Sequence, residues 1–444
     1  MSAADTLETL TLYTSPMPPQ SIRHRTCRAA IFGAALSLAL TVSADAADWA
    51  LIHARIFPSP DAVPIADGTI LIHQGRIAAI ADGSALHVPD DARRVDLHGG
   101  TVVAGFWNNH VHLMSPPLLN AGKRADEELT RELTRMLSRW GFTTVFDTAS
   151  LLANTNVIRQ RIASGQVIGP TILTVGDPFY PKGGTPIYVR QFMKDNGFPD
   201  EEVVNLPEAV ARVHRQIHEG ADGVKLFAGA IVGGEIGVLP MPLEQARALV
   251  EAAHAEGKPV FAHPSNLAGL TVSMDSGVDV LAHTTPMTGP WSADLTARIL
   301  AHHMALIPTI TLFEVEAKKF GESEKELRTD IDAAVQQVGT YSKAGGQILF
   351  GTDVGYIDAY DTAEEYRLLG RALDWHQILK ALTTAPAERF GYSARKGRLA
   401  RGMDADIVVL DGDPSKDITA FARVRLTVRA GRTIYDANNQ PYLN

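Results

Sequence analysis

Cysteine is almost absent from this chain of 444 residues: Cys27 is the only one. It stands just before an apolar run near the N-terminus, so everything downstream lacks disulfides, thiolate metal sites and cysteine nucleophiles. Any metal ion must therefore be held by nitrogen and oxygen. Clustered basic charge is also missing. The formal net charge is −9, and no Lys/Arg cluster follows the N-terminal region, which excludes nucleic acid as a partner. There is no low-complexity tract, and 45% hydrophobic with 20% charged residues is the composition of an ordinary globular protein.

The N-terminal segment has the pattern of a secretory signal. Arg23, Arg25 and Arg28 precede an apolar stretch over 29–42, which is short for a bilayer span, and Ala44-Asp45-Ala46 supplies a small-x-small cleavage site. The expectation is a secreted or periplasmic protein whose mature chain begins near Ala47, with Met17 as an alternative start to Met1. No stable membrane anchor then remains after cleavage; an uncleaved anchoring helix is the alternative.

After this leader, short strands separated by Gly, Pro and Asp turns recur at both ends of the chain, as in GTILIHQGRIAAIA and ADIVVLDGDP. The expected organisation is an extension and signal over 1–46, then a β-sandwich contributed by 47–102 and 393–444. Between them, 103–392 alternates apolar runs with amphipathic helices. Eight candidate strands stand out there: TVVAGFW, TTVFD, TILTVG, GVKLF, PVFAH, VDVLAH, ALIPTI and ILFGTD. Eight strand–helix units predict an α/β fold of the (β/α)8 TIM-barrel type, with the active site at the C-terminal strand ends. A doubly wound open sheet is the alternative, but no Gly-rich nucleotide loop follows the first strand.

A metal site in such a barrel would draw ligands from several strand ends. His110 and His112 share one face of the first strand, because side chains alternate there. Lys225 lies in the fourth, His263 ends the fifth, His283 the sixth and Asp353 the eighth. Most of the other histidines fall in predicted helices or in the flanking strands; His214, His218, His254, His302 and His303 are examples, expected at the surface or in packing.

This ordered set resembles the amidohydrolase superfamily, metal-dependent hydrolases with a barrel and a terminal β-sandwich. The resemblance covers nearly the whole chain after the leader. It implies two divalent ions, with His110, His112 and Asp353 on one and His263 and His283 on the other. It also implies that Lys225 is carboxylated by carbon dioxide and bridges them. A buried amine loses its proton readily, which is the state that adds carbon dioxide; the alternative is a lysine paired with an acid such as Asp222. Imidazole and carboxylate ligands suit zinc, with Mn, Co or Ni also acceptable. Two such ions make hydroxide available at neutral pH. Asp353 is then the catalytic base that carries the proton to a departing amine.

Within the superfamily, deaminases usually carry an acid three residues after the strand-five histidine, where this chain has Asn266. With Lys225, that favours the prolidase-like branch, similar also to ochratoxin-type amidases. The implied reaction is hydrolysis of an amide or peptide C–N bond in a dipeptide or N-acyl amino acid. A cyclic amidase or imidazolonepropionase-like activity is the alternative, and a metal-free scaffolding relative a remote one. Met114, Pro116, Pro117, Leu118, Leu119, Phe179, Tyr180 and Trp291 follow strand ends and could line an apolar pocket, with Lys182 meeting a substrate carboxylate. A small-molecule or dipeptide-like substrate is the expected partner, and a homo-oligomer is compatible with the sequence. One departure stands beside the first ligands: Asn108 replaces the aspartate usual in relatives, which can orient a ligand but brings no charge.

Overall fold

The computed structural model describes residues 48–199 and 201–439. The leader, with its signal and cleavage site, lies outside the described residues. Among the described residues no helix is long and apolar enough to cross a membrane.

Strands from both ends of the chain join in one hydrogen-bonded sheet of eight strands. Its centre is Trp49–Ile56, paired antiparallel with Ile65–His73 and parallel with both Arg93–Asp96 and Thr101–Ala104. One strand can serve two parallel neighbours because it bends at His53, which has φ 54°. Thr101–Ala104 in turn pairs with Ile407–Leu410, which carries Val424–Arg429 and Arg432–Asp436. The strands expected to form a sandwich are thus joined through Trp49–Ile56 in one continuous sheet. Side chains alternate as a strand requires. Val102, Ala104, Ile407 and Val409 fill the core of this sheet, while Val103, Val408 and Leu410 pack into the larger core of the rest of the molecule.

The apolar run TVVAGFW, expected as one strand, is divided. Thr101–Ala104 belongs to the terminal sheet, and Phe106–Val111 begins a separate parallel set. The break falls at Gly105, where a Cβ would sit 2.2 Å from Thr143 Oγ1 and 2.9 Å from Asp406 Cβ, so only glycine lets the chain pass this close to its neighbours.

The parallel strands run in chain order as two arcs. Phe106–Val111, Phe142–Asp147 and Thr171–Thr174 form the first; Val224–Leu226, Val260–Ala262, Val280–Ala282, Ala305–Ile307 and Gln347–Ile348 form the second. Single parallel bridges, Phe179 to Leu226 and Val111 to Val354, lie between the arcs. Helices occupy every crossover, among them Asp126–Met136, Leu152–Ala163, Leu206–His218 and Leu243–Ala255. Both arcs have two apolar faces. Trp107, Phe146, Leu173, Phe261, Val280 and Leu349 share one cluster. Their neighbours in sequence, including Val145, Ile172, Val260, Leu281 and Phe350, pack in the larger one. Burial on both faces is why these strands are continuous apolar runs rather than alternating ones.

Candidate metal centre

Five of the six expected ligands lie at or beyond the end of a parallel strand, and the sixth, Lys225, lies within one. His110 is the penultimate residue of the strand Phe106–Val111 and His112 follows that strand; Lys225 is central in Val224–Leu226. His263 and His283 come one residue after their strands, and Asp353 follows Gln347–Ile348 by five. The backbone there is unusual: His283 has φ 82° and Asp353 φ 63°, values that L-residues rarely adopt. Such strain persists only where surrounding structure fixes it, and it concentrates at functional sites.

The structure brings these side chains together. Asp353 Oδ1 is 3.2 Å from His110 Nε2 and 2.8 Å from His112 Nε2. His110, His283 and Asp353 each offer a ligand atom within 4.8 Å of the others. The His110 and His283 ring centres are 4.5 Å apart, and those of His263 and His283 4.6 Å. Lys225 is buried, with Nζ 5.6 Å from the centre of the Phe227 ring, which stacks on His263 at 4.8 Å. Asp222, the acid considered for Lys225, is instead ion-paired to Arg159.

Hydrogen bonds orient the rings. His112 Nδ1 pairs with the Ala149 carbonyl at 2.8 Å and His283 Nδ1 with Thr309 Oγ1 at 2.7 Å, so both turn Nε2 toward the cluster. Neither ring nitrogen of His110, nor Asp353 Oδ1, makes an aligned hydrogen bond, although all are buried. Buried polar atoms are rarely left so. Close approach without alignment is what a set of donors sharing a cation looks like, so the residues fit a metal ion.

Electrostatics agree. Burial holds the His110 imidazole down to about 3, against the opposing pull of Asp353, and pushes His263 and His283 well below their usual value. Burial lowers Lys225 to about 7, partly offset by Asp353. Burial would raise the Asp353 carboxyl, but the His110 and His112 imidazoles outweigh it and hold it well below the usual range. Neutral imidazoles, a readily deprotonated amine and an ionised carboxylate are the forms that bind metal.

Asn108 works without charge. Its Nδ2 donates to Thr352 Oγ1 at 2.7 Å, and its Oδ1 accepts from the His110 amide at 3.2 Å. It thereby ties the first strand to the residue before Asp353. Asn266 has a backbone role, capping the helix Leu267–Ser276 by accepting from Gly269 N. His214 pairs with Glu256 and His254 with Asp279, while His302 and His303 are exposed, all away from the cluster.

A cavity of about 380 Å³ opens onto the cluster. Of the loop residues expected to line it, Met114 and Tyr180 do, and Tyr180 packs on Phe227 at 4.6 Å. Two substrate candidates are corrected. Trp291 is buried off the cavity, its Nε1 donating to Thr285 Oγ1 at 3.0 Å, and anchors the loop to the core. Lys182 is exposed and does not line the wall. Leu118, Leu119 and Phe179 are buried in packing. Much of the wall was not anticipated. It comes from two helices, Ile187–Asp195 (Ile187, Tyr188, Phe192) and Ile310–Phe320 (Leu312, Phe313, Glu316, Phe320), and from Tyr356.

The profile of the amidohydrolase family matches residues 101–434, and the chain belongs to that family. An uncharacterized protein of Mycobacterium tuberculosis is 28% identical over 249 residues, covering 52% of this chain and 62% of its own length. The chain thus spans about three fifths of that relative. Ochratoxinase of Aspergillus niger is 22% identical over 418 residues, covering 85% of this chain and 84% of its own. The crystal structure of a Bifidobacterium longum protein assigned as a prolidase superposes with a TM-score of 0.72 at 26% identity, covering 87% of this chain and 94% of that one.

Proposed function

We propose that the two arcs close into one eight-stranded barrel and that the chain is a binuclear metal-dependent hydrolase of amide C–N bonds. The bridges at Phe179 and Val111, and the apolar cluster shared by strands of both arcs, support closure. His110, His112 and Asp353 would hold one ion and His263 and His283 the other, with Lys225, carboxylated, between them. Zinc suits this donor set. When bound, such ions supply hydroxide at neutral pH and polarise the amide carbonyl.

The chain's own residues do the rest. Asp353, ionised and beside two imidazoles, accepts the proton from the attacking water and delivers it to the amide nitrogen, which leaves only when protonated. Water is added across the C–N bond, giving a carboxylic acid and an amine. The apolar wall of Tyr188, Phe192 and Phe313 excludes bulk water and receives an aromatic or aliphatic substituent. Asn266 leaves the deaminase-type acid position without a proton donor. The prolidase and ochratoxinase likenesses favour an amide or peptide substrate.

The observation that carries this reading is the convergence of donors from several strands around a buried His110 whose ring nitrogens make no aligned hydrogen bond. The test is a screen of metal-loaded protein, supplied with bicarbonate, against dipeptides, N-acyl amino acids and aryl amides. Release of amine from any class supports it; no cleavage across all of them overturns it. The leader's pattern supports a further proposal, export with removal of residues up to about Ala46, checked by N-terminal sequencing of secreted material.

A further inference from the structure

The cavity wall has a one-sided charge. Apart from the metal-binding cluster, its charged side chains are carboxylates: Asp177, Glu201, Glu316, Glu322 and Asp330. Glu201 is ion-paired with Arg212, which does not line the cavity. Among the described wall residues there is no arginine, and Lys225 is the lysine of the cluster itself. Lys319 is exposed, with Nζ 5.7 Å from the Tyr356 ring centre, and does not line the cavity.

Glu316 differs from the acids at the rim. Its Oε1 accepts from the Tyr356 hydroxyl at 2.8 Å, and the Tyr356 ring packs against Tyr188 at 5.1 Å. Burial pushes its carboxyl up, with the Asp353 charge adding to the shift. Its helix is fixed relative to the metal-binding cluster. The buried Glu365 accepts from the amides of Ile310 and Thr311 at 3.0 and 2.7 Å, and the preceding Thr309 holds the His283 ring. Glu316 is therefore a polar group mounted at a set position beside the aromatic rings of Tyr188 and Tyr356, which is how pockets fix ligand orientation.

A substrate carboxylate brought beside Glu316 would lose its hydration and meet like charge, with no cationic side chain among the described wall residues outside the metal-binding cluster. An unpaired buried charge of this kind is strongly disfavoured. We propose that the site takes apolar, carboxylate-free amides, with Glu316 as the specificity residue. Held by Tyr356, it accepts a hydrogen bond from an N–H or ammonium group of the substrate and repels an acid. The inference rests on the amide-hydrolase reading and narrows it away from dipeptides and N-acyl amino acids.

Three N-benzoyl amides of one shape test it, made from para-methylbenzylamine, para-(aminomethyl)benzylamine and para-carboxybenzylamine. Affinity for the metal-loaded full chain is measured by calorimetry, and KM wherever there is turnover. The neutral and cationic probes should bind at least about tenfold more tightly than the anionic one. Glu316→Gln should weaken the cationic probe about tenfold relative to the neutral probe and narrow the penalty on the anionic one. Equal or tighter binding of the anionic probe to the wild type overturns the proposal without any variant. So does a cationic-to-neutral ratio that Glu316→Gln leaves unmoved. The predicted binding order without cleavage supports the proposal and counts against hydrolysis of these amides, so the two failures stay separate.

Discussion

The same strands behave differently at two levels along their length. Trp107, Phe261 and Val280 lie two or three residues before His110, His263 and His283. At that lower level the packing is dense and apolar. Phe146 meets Phe261 at 4.7 Å and Phe390 at 5.0 Å, and Trp107 meets Tyr392 at 5.6 Å. At the upper level, polar side chains are buried without aligned partners, and His283, Thr309 and Asp353 take left-handed backbone. The lower level is built for stability. The upper level gives up stability to present donor atoms, as functional sites do when they break rules kept elsewhere. Glycines make the upper level possible: a Cβ on Gly351 would stand 2.3 Å from Ile307 Cγ2 and 2.9 Å from His110 Cβ.

The comparison can be broken at either level. The largest expected effect is at the top. Asp353→Asn should lower kcat by about 10²- to 10⁴-fold, since it removes the proposed proton carrier, with a melting temperature close to that of the wild type. Retained turnover would remove Asp353 from the chemistry. Phe261→Ala, at the lower level, should do the reverse: a loss of about 3–5 kcal/mol in stability, measured by denaturant unfolding, with kcat of the folded fraction nearly unchanged. Equal damage to both properties by both variants would erase the distinction.

A smaller, pH-dependent effect belongs to the support beneath the upper level. Burial raises the Glu365 carboxyl from 4.5 to about 7, against the opposing donors of Thr311 and Ile310. Between those values the folded chain holds more protons than the unfolded one, so the stability contributed by Glu365 is present below about 4.5 and declines as pH rises to about 7. Relative to Glu365→Gln, the wild type should therefore lose ground from pH 5 to pH 8, by up to about 3 kcal/mol. Melting curves at the two pH values check this, and a gap independent of pH contradicts it.

How far the sequence revealed the molecule follows the same division. His110, Lys225, His263, His283 and Asp353 were legible because each closes or sits within a short apolar run, and doubly buried strands write such runs plainly. The continuous run TVVAGFW was misleading for the same reason. Both of its halves are buried, and the break at Gly105, packed tightly against Thr143, leaves no mark in the apolar pattern. Loops carried less information. Trp291 and Tyr180 both follow strand ends, yet one packs into the core and the other lines the cavity. Glu316 and Phe192 lie on amphipathic helices, where nothing in the pattern separates a cavity wall from an ordinary packing face.

The central claim is that strand-end donors hold two ions with Lys225 between them. Metal analysis of purified protein, before and after Lys225→Ala, tests it most directly. The account predicts about two equivalents per chain in the wild type and one or none in the variant. A wild type that binds no metal, or a variant that retains both equivalents, would contradict it.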